Sequence, residues 1–235
     1  LDRKPGMTLD GIGLFFQRDQ TWFPEAKGFV DYITRCQNYL QRGKPVVDIA
    51  VYTGDEMPSR ALTPDRLVPM LPGLFGAERL ASEAKRLANE GQPMEESPVG
   101  VRHAAGILDL KDWVNPLHGY QYDSMNPDGL AHWLSEMQNP TSRNMPYYRV
   151  LVVPQNIKVS PEAQARINSL NTYGITVITE PYKESTLPNL PPDVVLPEGI
   201  AYTHRKADST HYFFLSNQTD NVRHFRAKFR IKNRM

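Results

Sequence analysis

Two carboxylates stand side by side at Asp55-Glu56, directly after the apolar run Val46-Val47-Asp48-Ile49-Ala50-Val51-Tyr52. In open α/β sheets, ligands collect beyond the carboxyl ends of the strands. Acids placed there can accept hydrogen bonds from sugar hydroxyls or line a neighbouring site; an acidic surface turn that caps a helix uses the same residue types. Neighbours in sequence do not flank a glycosidic bond, so Asp55 and Glu56 are not the acid and base pair that glycoside hydrolysis needs. A second cluster, Arg18, Asp19 and Trp22, follows the apolar run Ile12-Gly13-Leu14-Phe15-Phe16 and precedes a helix. If that run is the last strand of a β/α barrel, the cluster lies at the carboxyl-terminal mouth, where barrel active sites are built. An indole stacks on an apolar sugar face, and a guanidinium holds hydroxyls or orients a carboxylate. Trp22 also falls on the apolar stripe of the following helix, which suits a core residue equally.

Other chemistries fail on residue types. The turn Thr53-Gly54-Asp55-Glu56-Met57-Pro58 has one glycine and two acids, so it repels phosphate and makes neither a dinucleotide fingerprint nor a P-loop. The single cysteine, Cys36, lies mid-helix on the apolar stripe, which predicts an inert core thiol, and no Gly-x-Ser-x-Gly elbow occurs. His103, His118, His132, His204, His211 and His224 are scattered and lack zinc spacing. His204 and His211 can meet across a hairpin, but two imidazoles alone are a weak metal signal. The cationic run Arg223, Arg226, Lys228, Arg230, Lys232 and Arg234 alternates with apolar residues. It reads as the wet face of an edge strand, a common guard against aggregation.

These residues need elements to position them. A helix is expected over Trp22, Ala26, Phe29, Ile33, Cys36 and Leu40, capped by Thr21 and ended by Gly43. From about Pro45 to Pro181, β-branched runs alternate with amphipathic stretches. Val46–Tyr52, Tyr120–Asp123, Arg149–Pro154 and Ile175–Thr179 read as strands. Leu80-Ala84-Leu87, a helix opened by Asn126-Pro127, and another opened by Ser160-Pro161 separate them. That pattern predicts an α/β domain, flavodoxin-like, with a parallel sheet covered by helices on both faces. After the proline-rich connector Leu187–Pro192 the period changes to two, and Ile200–Arg205, Thr210–Ser216 and His224–Ile231 read as antiparallel strands.

With 27 basic and 26 acidic residues, net charge is +1, which gives no electrostatic reason to expect nucleic acid or an anionic membrane as partner. No stretch is long and apolar enough to span a bilayer. The opening Leu1-Asp2-Arg3-Lys4-Pro5-Gly6 is no signal peptide, and the chain is expected to be part of a longer one.

Several blocks in order carry a resemblance: Pro5–Leu9, Gly11–Phe23, Phe29–Gly43, Val47–Glu56, Tyr120–Asn126, Tyr148–Pro154 and Tyr212–Gln218. Together they resemble the bacterial α-L-rhamnosidases of glycoside hydrolase family 106, weakest between Pro58 and Asn115. The resemblance implies a β/α barrel that carries catalysis, then an α/β accessory domain like that of β-galactosidase (class I glutamine-amidotransferase-like), then β-sandwiches. On that map residues 1–43 end the barrel, 44–186 form the accessory domain, and 187–235 begin a sandwich or dock as β strands. Catalytic glutamates and calcium ligands are then expected on absent barrel strands, so no catalytic residue and no cofactor is assigned here, with calcium possible in the parent. The implied partners are rhamnose-containing glycans and the remaining domains of the parent; the implied location is periplasmic or extracellular. Phe15 departs from the pattern, where a polar residue, often histidine, is expected; the departure implies either an altered substrate choice or a member that has drifted from rhamnoside hydrolysis. Two rivals stand beside this reading: a non-catalytic oligomerisation or interaction module, and an autonomous flavodoxin-like binding protein.

Overall fold

The computed structural model describes residues 18, 20–56, 67–77, 79–81, 84, 117–139, 148–155 and 157–231. Its centre is a four-stranded parallel sheet. β1 (Lys44–Pro45) belongs to a second sheet; the central strands are β2 (Ile49–Tyr52), β3 (Tyr122–Met125), β4 (Val150–Val152) and β5 (Thr176–Ile178), in the order β3-β2-β4-β5. Every residue of β2 and β4 is buried. Successive side chains of a strand point to opposite faces, so a sheet covered on both sides needs unbroken apolar runs, and these two strands supply them.

One face carries Ala50, Tyr52 and Leu151. Against it pack Leu130, Trp133 and Leu134 of helix α2 (Pro127–Gln138), and Ala163 and Ile167 of α3 (Pro161–Ser169). Each fully buried aliphatic side chain of this kind contributes about 1.5–3 kcal/mol. The opposite face carries Ile49, Val51, Val150 and Val152 under Leu67, Leu71, Leu74, Leu117 and Tyr120. Among the described residues this second cover is built from a 3-10 turn, Pro72–Leu74, and connecting segments, with Leu80 packed beside them. The expected helix over Leu80, Ala84 and Leu87 lies largely outside the described residues.

Both proline-led helix starts form as read. Asn126 Oδ1 accepts from Gly129 N at 2.8 Å, and Ser160 Oγ accepts from Ala163 N at 3.2 Å. Each cap satisfies a backbone donor that the first helical turn leaves without a partner. The first helix differs from expectation. A 3-10 turn, Phe23–Glu25, precedes α1 (Ala26–Leu40), and no side chain of Thr21 caps it. No residue of α1 is buried; Ala26, Ile33, Cys36 and Leu40 are half-buried, and Phe29, Val30, Tyr32 and Tyr39 are exposed. Cys36 is therefore not a core thiol. The apolar run Ile12–Phe16 lies outside the described residues.

The C-terminal part is a hairpin of β7 (Ile200–Ala207) and β8 (Thr210–Asn217), with β1 pairing antiparallel to β7. Asp208, at φ 51°, turns the hairpin. Gly43, at φ 58°, ends the helix segment so close to β7 that any Cβ would collide with the Lys206 carbonyl. Arg205 seals that junction, donating to the carbonyls of Arg42 and Gly43 at 2.7 Å each. A separate ladder joins β6 (Val194–Val195) to β9 (Lys228–Phe229). The strand expected over His224–Ile231 thus pairs at only two residues. Val222 is 86% exposed, and Phe225, Phe229 and Ile231 are also exposed, although Phe229 meets the Phe213 ring of β8. Period-two alternation marks an extended chain; ladder formation needs a partner, which sequence alone does not supply.

Candidate functional site

The strand order reverses direction around β2, with β3 on one side and β4 on the other, so the crevice beyond the carboxyl ends of β2 and β4 is the place where such sheets bind ligands. Asp55 and Glu56 stand there. Gly54, at φ 86°, turns the chain, and a Cβ on it would press to 3.3 Å from Ile157 Cβ and the Lys158 carbonyl. Asp55 N donates to that same carbonyl at 2.9 Å. The Asp55 carboxylate accepts from the Tyr52 hydroxyl through Oδ1 and from Ser160 N through Oδ2. Burial pushes its pKa up, but the bonds from Tyr52 and Ser160 and the charge of Lys158 outweigh burial and hold it below the ordinary value. Burial and the adjoining Asp55 raise the Tyr52 phenol well above its usual range. Asp55 therefore staples the loop after β2 to the start of α3. Glu56 is exposed beside it.

Arg18 is exposed, Asp19 lies outside the described residues, and Trp22 is half-buried at the start of the 3-10 turn. The two clusters occupy different elements, one at the carboxyl end of β2 and one ahead of α1. Between Arg18 and Trp22 sits a residue that sequence reasoning missed. Gln20 is 6% exposed, its backbone carbonyl accepts from Phe23 N at 3.1 Å, and its Nε2 is buried with no hydrogen-bond partner among the described residues. A buried amide donor left without an acceptor costs about 1–3 kcal/mol, so it is a polar group with capacity for a ligand hydroxyl. Glutamine has no spacing signature, and nothing in the sequence singles it out.

The densest polar cluster lies elsewhere. Asp193 Oδ2 meets His204 Nδ1 at 2.8 Å, and His204 Nε2 meets His211 Nδ1 at 2.8 Å. Asp193 and His204 are 2% and 1% exposed. Arg230 Nη2 donates to both oxygens of Asp48, at 2.8 and 2.7 Å, and approaches Asp193 Oδ1 at 3.4 Å. Its Nη1 donates to the Pro191 carbonyl at 2.7 Å. Burial raises the Asp48 pKa, and Arg230 offsets this only in part. The hairpin thus brings His204 and His211 together as their spacing allowed. Among the described residues, no group of three or more His, Cys, Asp or Glu side chains could hold a metal ion. Arg230, read from sequence as part of a wet cationic face, turns inward instead. No helix among the described residues is long and apolar enough to cross a membrane.

Residues 1–85 match the glycoside hydrolase family described as alpha-L-rhamnosidase. Over 99% of its length the chain is 26% identical to a protein of Formosa agariphila named a putative beta-glucuronidase, of which it spans 19%. Among solved structures it resembles a rhamnosidase from Novosphingobium sp. PP1Y, with TM-score 0.50 and 19% identity, over 92% of this chain and 21% of that one. The resemblance to rhamnosidase-like glycoside hydrolases holds, and the chain spans about a fifth of the length of these relatives.

Proposed function

We propose that this chain is an accessory part of a carbohydrate-cleaving enzyme acting on rhamnose-containing glycans, supporting and lining a sugar site whose principal catalytic carboxylates lie outside it. The observation that carries this reading is the commitment of Asp55. Both its oxygens serve Tyr52 and Ser160, so the acidic pair offers only Glu56 to a substrate. Hydrolysis of a glycosidic bond needs two carboxyl groups facing each other across it. Trp22 would stack on a sugar face, and Gln20 Nε2 and Arg18 would donate to hydroxyls. On this reading residues 1–43 close a barrel, 44–186 are a flavodoxin-like accessory domain, and 187–235 begin a sandwich or dock as β strands. The enzyme works in the periplasm or outside the cell. Calcium, if the whole enzyme uses it, would be held by barrel strands outside this chain.

The relative named as a putative beta-glucuronidase makes a uronic acid the rival sugar. The test is turnover of aryl α-L-rhamnosides and aryl β-D-glucuronides by the purified chain. None is expected on either; sustained turnover of one overturns the accessory role and identifies the sugar.

A second reading, a non-catalytic interaction module, is favoured by α1, which leaves Phe29, Val30, Tyr32 and Tyr39 exposed. Light scattering separates the two: a stable oligomer of the chain supports the module, a monomer the accessory role.

A further inference from the structure

The chain Asp193–His204–His211 has an order that hydrogen bonding dictates. Asp193 as a carboxylate only accepts, so His204 Nδ1 carries a proton and donates to it. In the neutral state His204 Nε2 is then a lone pair, and the 2.8 Å contact to His211 Nδ1 requires that nitrogen to carry the proton. His211 Nε2 is left as the acceptor, on a half-buried ring at the outer end of the chain.

One proton can enter there without breaking a bond. When it binds His211 Nε2, the proton on His211 Nδ1 can pass to His204 Nε2, and the positive charge moves inward to Asp193. A second proton has no such place. It sets two N–H groups head to head across a distance that only a hydrogen bond tolerates. His204 cannot swing away, since its ring stacks on Phe213 with centroids 3.9 Å apart and is almost wholly buried. Phe213 in turn packs on Phe229 of β9, centroids 4.5 Å apart.

We propose that this Asp–His–His chain is an acid-sensitive latch that stores one proton and, on taking a second, drives β8, with His211 and Phe213, away from His204 on β7 and so releases β9, which packs on Phe213, and the exposed segment before it. The charged groups around it divide between holding the first proton and opposing the second. From β7, Lys206 stands opposite His211 in the ladder and opposes a positive charge on it. Ahead of β6, Asp193 attracts the first proton's charge. Just after β9, Arg230 already occupies the other side of Asp193, and ahead of β2 Asp48 is spent on Arg230. Arg149 adds a further cation near Asp48. Burial, then His204 and Lys206, lower the His211 pKa, so the second proton, whose charge stays on His211 itself, is held less tightly in the folded hairpin than in an open one. Stability is then complete above the free imidazole value and falls as pH drops through it towards the lower folded value.

The test is hydrogen exchange of the whole chain between about pH 7.5 and about pH 4.5, corrected for intrinsic rates. Peptides from 200–217 and 222–231 should lose protection about tenfold or more as acid is added, while those from 148–155 and 161–170 keep theirs. His211→Gln, whose amide can face His204 with either its oxygen or its nitrogen, should keep the hairpin closed into the carboxylate range. Equal loss in the wild type and in His211→Gln, or no loss in the wild type, overturns the latch. Should the variant fail to fold, ring-nitrogen NMR of the wild type decides. Two separated imidazole titrations, the second coinciding with the loss of protection, support the latch; independent titration of both rings overturns it.

Discussion

Arg230 and Asp48 stand 182 positions apart in sequence, yet Nη2 of the arginine donates to both carboxylate oxygens, at 2.8 and 2.7 Å. This contact ties the residue just after β9 to the entrance of the central β2 strand. Both side chains are largely shielded, 17% and 8% exposed. Breaking such a pair from one side leaves a buried charge uncompensated. Arg230→Ala should therefore cost about 3 kcal/mol in urea unfolding. Asp48→Asn should cost less, because burial already raises the Asp48 pKa and the charged form gains little from folding. A larger loss for Asp48→Asn than for Arg230→Ala would contradict this account.

The Asp55 staple makes a pH prediction of defined sign. Its folded pKa lies below the ordinary value, so its contribution is complete above the unfolded pKa and is lost as pH falls through the folded one. The wild type should lose denaturant resistance in that acid window, and Asp55→Asn, already lacking the contribution, should show a shallower loss there. At neutral pH the substitution should cost about 1–3 kcal/mol, because an amide nitrogen cannot accept from Ser160 N or the Tyr52 hydroxyl.

The Tyr148 hydroxyl donates to Asp123 Oδ2 at 2.9 Å, and its ring meets Trp133 edge-on with centroids 5.2 Å apart. Burial and the Asp123 charge push the Tyr148 pKa far above the usual phenol range, as burial and Asp55 do for Tyr52. A raised folded pKa means stability that is fully present below the unfolded value, about 10, and is lost as pH rises through the folded one. Ultraviolet titration in alkali should show these two phenols ionising only with unfolding, and Tyr148→Phe should remove one of the late-titrating groups. Ionisation of both near the free value in a folded protein would refute the buried hydrogen bonds.

The helix caps offer a milder test. Asn126→Ala should cost about 1 kcal/mol and Asn126→Gly only a few tenths, because glycine leaves the cap backbone free to take its non-helical shape. Thermal unfolding of the pair of variants checks the order.

Much of the sheet could be read from sequence, because continuous burial on two faces writes itself as runs such as Val46–Tyr52 and Arg149–Pro154, and because Asn126-Pro127 and Ser160-Pro161 announce helix starts. The polar centre could not. Asp48 lies inside an apolar run, Arg230 within a cationic alternation and Asp193 beside a proline pair. Each looks ordinary until the fold brings 48, 193 and 230 to one point. His204 and His211 were recognisable as a pair only because a hairpin fixes their separation locally. Gln20 carried no signal at all, since its interest lies in a buried amide that finds no partner among the described residues.

The central claim, that this chain lines a sugar site without performing the bond cleavage, is tested most directly by steady-state kinetics of the full-length gene product on an aryl α-L-rhamnoside. Trp22→Ala, Gln20→Ala and Glu56→Gln should each raise KM by about tenfold and leave kcat within a few-fold, as expected when ground-state and transition-state contacts are lost equally. A fall in kcat by about a thousandfold or more with Glu56→Gln would place a catalytic carboxylate on this chain and contradict the account; unchanged kinetics in all three would remove it from the sugar site altogether.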